Sequence, residues 1–250
     1  MMNKTLEELY NRKSVRAFTE QEISREDKDA ILLAAANAPT AGNQQMYTII
    51  DVTDQSLKDK LAVSCDNQPF IAKGEMLLVF CADFQKWYDA FKVADSNPRK
   101  VDVGNMLLAT EDTMIAAQNA VVAAESLGIG SCYIGDILEK YEYHKELLNL
   151  PRYVFPVALL VFGYPTQQQI DRPKPARVPM KHIVHENSYR RMDADELKEM
   201  FSGKTGKMSY EEYIKAFYER KYDTDFSKEM GRSVCAMIDG IVRGDEDEKL

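Results

Sequence analysis

The run Arg12-Lys13-Ser14-Val15-Arg16 sets three cations and a hydroxyl within five residues of a chain whose net charge is −8. Arginine offers a planar fork of donors matched to phosphate, lysine a compact positive charge, and serine one further hydrogen bond. In an extended backbone Arg12, Ser14 and Arg16 face one side, and Lys13, Val15 and Ala17 the other. Three anion-seeking groups on one side of a strand point to a phosphorylated ligand. Taken by itself, the same run also suits a solvated basic turn.

Other chemistries find little support. Gly128-Ile129-Gly130-Ser131 lacks the strand–turn–helix order of a dinucleotide fingerprint and has no lysine–serine pair. There is no G-x-S-x-G, and His182 and His185 lie in a stretch punctuated by Pro173, Pro175 and Pro179. Glu211 and Glu212 read as a solvated helix face. Cys65, Cys81, Cys132 and Cys235 form no C-x-x-C pair and, with His144, His182 and His185, make no metal-ligand pattern. Reduced, buried thiols are expected. With no nucleophile and base of its own, an enzyme of this sequence needs a cofactor to carry the chemistry.

The 250 residues, 45% apolar and 29% charged, can build a sizeable core. The acidic balance argues against generic binding to nucleic acid or an anionic membrane surface. The longest apolar run, 153–162, is too short for a membrane span and contains Pro156, and the N-terminal residues show no hydrophobic signal core. These features predict a cytoplasmic protein.

The elements that must position the basic run follow from pattern. Thr5-Leu6-Glu7-Glu8 reads as a capping box opening a helix that ends near Asn11, and Ser24 caps a second helix reaching about Asn37. A loop of small and amide residues, 38–45, leads into a strand over 46–52. A helix over 54–63 and a polar loop at 66–69 precede a strand over 76–82, apolar on both faces and therefore central. A surface helix over 83–93 carries Trp87. The helix over 105–127 is apolar around most of its circumference, which implies burial on several sides, in the domain or at a dimer interface. Gly128 ends it. A short strand and turn over 129–136, a helix over 140–148 and a core strand over 154–162 complete the core. Residues 171–191 hold six Lys/Arg against two Asp/Glu and read as an extended basic arm. Helices over 193–201, 210–221 and 227–242 follow it. Strands separated by helices predict one α+β layer fold rather than two independent domains.

Five stretches in this order resemble the nitroreductase/flavin reductase family: Arg12 to Phe18, Ala38 to Gln45, Gly128 to Asp136, Val157 to Pro165, and the arm Arg172 to Pro179 followed by His185-Glu186-Asn187-Ser188-Tyr189. The arm resembles the branch of larger NADPH-preferring nitroreductases, although Ala176 adds a residue to its pattern. The resemblance implies a central mixed sheet flanked by helices, a long buried central helix, a C-terminal helical extension and an intertwined homodimer. It implies an FMN-binding core over 1–165, with arm and extension over 166–250 in the same domain. Arg12, Ser14 and Arg177 would hold the FMN phosphate, with Lys13 beside them. Arg16 and Lys174 would lie near the pyrimidine edge, where a cation stabilises the negative charge gained on reduction. Gln68 would bond the ring, Pro39, Thr40, Ala41 and Asn43 would approach from the partner subunit, and Tyr133, Ile134 and Gly135 would cross the ring face. FMN carries the chemistry, so no residue is assigned as catalytic. The implied activity is ping-pong hydride transfer from NADPH or NADH to nitroaromatics, quinones or flavins. Lys204 and Lys207 are the candidate contacts for the reductant's 2′-phosphate. A specialised FMN enzyme (reductive dehalogenation or flavin cleavage) and a non-enzymatic flavin-binding protein are the alternatives.

Overall fold

The computed structural model describes residues 3–243. Met1, Met2 and the last seven residues of the expected C-terminal extension lie outside them. The elements run α1 (Lys4–Asn11), α2 (Arg25–Ala36), β1 (Tyr47–Asp51), α3 (Gln55–Ser64), α4 (Pro69–Lys73), β2 (Met76–Asp83), α5 (Gln85–Val93), α6 (Val103–Ser126), β3 (Gly130–Ile134), α7 (Tyr141–Leu147), β4 (Val154–Gly163) and α8 (Gln167–Asp171). The last three are α9 (Ala194–Phe201), α10 (Tyr210–Lys221) and α11 (Asp225–Arg243). Two compact units result: the chain up to Arg172 together with the stretch from Glu229 onward, and Pro173–Lys228.

Within the first unit the strands form one sheet in the order β1-β2-β4-β3, every neighbouring pair antiparallel. β2 and β4 are central and buried along their whole length, as continuous apolar runs require. Their side chains alternate between two cores. Leu78, Phe80, Leu160 and Phe162 meet Ile31 and Ala35 of α2 and the alanines of α6 on one face. Leu77, Val79, Leu159 and Val161 meet Leu61 of α3 and Ile71 of α4 on the other. Pro156 cannot donate to a ladder, and it sits opposite Cys81, where the β2–β4 register shifts between Phe80 and Cys81.

Several local readings are corrected. Asn3, not Thr5, caps α1, its side chain accepting from the Leu6 amide. The polar loop at 66–69 runs directly into α4, whose Pro69 occupies the first turn, where a missing N–H is harmless. α6 begins at Val103, two residues before the expected start, because Asp102 and Asn105 close a capping box across its first turn. Burial of α6 is one-sided within the chain. Ala109, Ala116, Ala117, Ala120 and Ala124 face the core, while Leu107 remains 60% exposed and Met114 and Ile115 about two-fifths exposed.

β3 is extended by a segment outside the named strands. Ser14 pairs with Ser131 in a parallel bridge, and the Val15 amide donates to the Ser131 carbonyl at 2.9 Å. Gly130 permits this approach, since a Cβ there would lie 2.6 Å from Val15 Cγ2. Gly130→Ala is therefore expected to destabilise the protein by about 1–3 kcal/mol, the usual range for overpacking. In urea denaturation, Gly130→Ala combined with Val15→Ala should fall short of the sum of the single effects; strict additivity would show that the two residues do not compete for space.

Candidate active site

The basic run leaves α1 at Arg12, whose amide still bonds the Glu8 carbonyl, and turns extended there, with φ −51° and ψ 133°. From that point it is clamped between β3 and the chain leaving β4. Thr19 donates to Tyr164 O at 2.8 Å, Thr166 donates to Ala17 O at 3.2 Å, and Phe18 bridges Pro165. Lys13 Nζ donates to the carbonyls of Ile170, at 2.7 Å, and Arg172, at the end of α8 where a cation suits the helix terminus. Arg172 returns a guanidinium bond to the Ser14 carbonyl.

The expected alternation is realised. Lys13 and Val15 line a cavity of about 370 Å³ with Gly128, Ile129 and Ile170. Arg12, Ser14 and Arg16 share the other side with Cys132. Burial pushes that thiol up, opposed by the Arg16 charge, a hydrogen bond with Ser14 and the Arg12 charge. Tyr133 follows; burial raises its phenol to about 12 against the pull of Arg12, and its hydroxyl donates to Gln118 of α6 at 3.3 Å. Arg12 Nη1 is buried without a hydrogen-bond partner among the described residues. An orphaned buried donor on a guanidinium costs about 1–3 kcal/mol or more, which an anion placed against it would recover.

Gln68 reaches the same neighbourhood through Asp136, whose charge also acts on Cys132. Gln68 Nε2 donates to Asp136 Oδ2 at 2.9 Å and to Cys65 O at 2.8 Å. Ile134 is only 2% exposed and packs into the core, so its side chain is turned away from solvent. Gly135 is exposed, and a Cβ added there would meet nothing within 4 Å. Arg12, Ser14 and Arg16 are thus brought together along β3 beside Cys132 and Tyr133, Gln68 is tied by Asp136 to the turn that follows the strand, and Lys13 is turned to α8.

The loop holding Pro39, Thr40, Ala41 and Asn43 is anchored separately, on α6. Asp112, 2% exposed, accepts from Thr40 Oγ1, from the Ala41 amide at 2.9 Å and from the Met46 amide at 3.3 Å. Trp87 Nε1 donates to Gln44 O at 2.8 Å, and Asn43 is exposed with φ 58°. Lys174, Arg177, Lys204 and Lys207 belong to the second unit. There Arg177 and Lys207 are exposed, and the Lys204 ammonium lies 5.9 Å from the centre of the Phe201 ring.

Sequence reasoning missed Asp112, Asp136, Gln118 and Arg172. The available signal for Asp112 was its spacing, three residues after Ala109 and four before Ala116 on the apolar side of α6, where a carboxylate demands partners. Cys65, Cys81 and Cys132 are buried, Cys235 is exposed, and all four are free thiols.

Glu139, just beyond the turn that follows β3, is 6% exposed with Oε1 unpartnered. Burial first, then Asp136, Asp66 and Glu229, raise its carboxyl to about 7, against the opposing pull of Lys140. The folded state therefore holds this proton between about pH 4.5 and 7, while the unfolded chain releases it. Stability contributed by the protonated form is lost as pH rises through that window. Glu139→Gln is expected to melt near wild type at pH 4.5 and above it at pH 8; a difference in melting temperature independent of pH would remove Glu139 as the cause.

A model of the nitroreductase family matches residues 9–164. The FMN reductase [NAD(P)H] of Bacillus subtilis is 32% identical over 237 residues, covering 88% of this chain and 93% of the relative. The oxygen-insensitive NADPH nitroreductase of Salmonella typhimurium is 34% identical over 192 residues, 77% of each chain. The solved structure of Bacillus megaterium NfrA2 superposes with a TM-score of 0.76 at 32% identity, covering 93% of this chain and 98% of its own. With more than half of the chain inside the family model, and with relatives above 30% identity along most of its length, the protein belongs to the nitroreductase family.

Proposed function

We propose that the protein is an NAD(P)H-dependent FMN oxidoreductase that reduces nitroaromatics, quinones or flavins. The observation that carries the reading is the buried, unpartnered guanidinium nitrogen of Arg12 beside Ser14 and Arg16. A donor left unpartnered among the described residues, next to a hydroxyl and a second guanidinium, supports binding of a phosphate there. The activities for which two relatives are named, FMN reductase and NADPH nitroreductase, support the same assignment. When bound, FMN would supply the redox centre, taking hydride from NAD(P)H and returning two electrons to an acceptor.

This chain's own groups have distinct tasks. Arg12 and Ser14 would neutralise the phosphate with charge-assisted and hydroxyl hydrogen bonds. Arg16 would place positive charge where the ring's pyrimidine edge gains negative charge, and Gln68 would contact that edge. Tyr133 and the open face of Gly135 would flank the ring, with the backbone rather than the side chain of Ile134. Lys13 supports the site indirectly, by holding α8 against the basic strand. For Lys174 and Arg177 the ring-edge and phosphate roles rest on the family pattern of the arm. Lys204 and Lys207 are proposed to favour NADPH through its 2′-phosphate.

We also propose that a second copy of the chain covers the exposed side of α6 and brings its Thr40–Asn43 loop to the flavin. Leu107 lines an apolar groove of about 230 Å³ with Val103, Val234 and Ile238, a surface of the kind an obligate interface buries. Among the described residues, no helix is long and apolar enough to cross a membrane.

The decisive experiment is anaerobic NADPH addition to the FMN-loaded protein, followed by its absorption spectrum. The flavin band should bleach and return on adding a quinone or a nitroaromatic; a flavin that binds but never bleaches would leave a carrier rather than a reductase. Arg12→Ala should weaken FMN binding by about 2–3 kcal/mol, roughly 30- to 150-fold, and Lys13→Ala far less. Equal losses would undo the division between the two faces of the strand.

For the interface, sedimentation velocity should give twice the 28.5 kDa chain mass for wild type. Leu107→Glu, which sets like charges against each other across a two-fold contact, should shift the protein to monomer. A wild-type monomer at micromolar concentration that still binds FMN would exclude this interface.

A further inference from the structure

The amide of Gln68 is held in one orientation by two acceptors. Its nitrogen carries two protons, one directed at Cys65 O at 2.8 Å and the other at Asp136 Oδ2 at 2.9 Å. Turning the amide over would set its oxygen against a carbonyl and a carboxylate, neither of which has a proton to give. One contact fixes a point of the amide; two fix its plane. The side chain is only partly buried, and its Oε1 has no partner among the described residues. Gln68 therefore presents an acceptor only.

Asp136 is placed to enforce this. It follows β3 in the short turn Gly135–Leu138, three residues after Tyr133, whereas Gln68 precedes α4 on a different connection. The Gln68 backbone is itself fixed, its amide donating to Ala62 O at 2.9 Å. The Gln68–Asp136 bond is thus a tie between two loops that meet at the proposed flavin site. The pyrimidine edge of a flavin offers carbonyl, N–H and carbonyl in that order. A locked acceptor matches only the central N–H.

We propose that Asp136 is a positioning residue, which by fixing the Gln68 amide makes the site demand a hydrogen-bond donor at the N3 position of the bound ring. The inference rests on the FMN reading above. It yields a selectivity that a merely structural aspartate would not. Wild-type apoprotein should bind FMN at least tenfold more tightly than N3-methyl-FMN, since the methyl group leaves the locked oxygen facing carbon.

The test measures both affinities by fluorescence quenching on apoprotein of the full chain. Asp136→Leu should bring the ratio below about threefold, because an amide held at one point can turn aside. Asp136→Asn, which can still offer an oxygen to Gln68, should keep most of the ratio. Gln68→Ala should erase it, and Gln68→Ala with Asp136→Leu should do no more than Gln68→Ala does. If Asp136→Leu weakens both ligands equally and the ratio survives, Asp136 only supports the fold and the proposal fails. Should circular dichroism show that this variant does not fold, Gln68→Ala decides: a wild-type ratio there overturns the proposal. Wild-type protein that binds FMN without discriminating overturns it as well. Wild-type protein that binds neither flavin would instead overturn the FMN reading itself.

Discussion

The site depends on one close approach, that of the extended segment after α1 to the edge of β3. Val15 is 4% exposed and lies against Gly130, and its amide bonds the Ser131 carbonyl. With Val15 seated inward, strand alternation leaves no choice about its neighbours: Arg12, Ser14 and Arg16 must share one side and Lys13 the other. A slip of one residue would exchange the two sets and turn the arginines toward α8. The apolar contact therefore specifies the register, and the register places the charge. Lys13 and Arg172 add a polar clasp, each donating to backbone carbonyls on the opposite segment.

A second constraint governs the buried polar groups. Asp112 satisfies its burial with a hydroxyl and two amides, so the loop from Thr40 to Met46 is tied to α6 by a fully engaged carboxylate. Releasing one partner would leave a buried charge short of a donor, an expensive loss in a low-dielectric interior. Glu139 is the opposite case, a carboxyl with an oxygen left unpartnered and with acidic neighbours. Arg12 is a third, a cation with an unpartnered nitrogen. Asp112 supports the framework. Arg12 Nη1 has no hydrogen-bond partner among the described residues, and it lies where the cofactor phosphate is proposed to bind.

Much of this was legible in the sequence. The central strands announced themselves as continuous apolar runs, and the two faces of the basic stretch followed from period-two alternation, a rule that needs no tertiary information. What escaped was set by contacts distant in sequence. The charge of Lys13 is visible locally and groups it with the anion-binding residues, whereas its carbonyl partner Ile170 lies 157 residues away. The one-sided burial of α6 escaped for a related reason. Alanine, valine and leucine around a helix say that several sides are apolar, not which side the same chain covers. Short elements such as α4 and α8 were lost because five residues carry almost no periodic signal.

The exposed apolar side of α6 and the Asp112 anchor belong to one helix, so the proposed assembly and the proposed chemistry share an element. Asp112 holds the Thr40–Ala41 loop, Leu107 lies five residues earlier, and Gln118 bonds Tyr133 six residues later, about 9 Å along the axis at 1.5 Å per residue. One rigid element thus bears a surface fit for a second chain, the anchor of a loop and a contact to the site strand. If two copies pair through α6, each loop moves as a unit with the face that docks. The distance from loop to partner site is then set by helix packing rather than by the loop's own flexibility. On the proposed pairing, the same apolar burial that joins the chains would also complete the binding site.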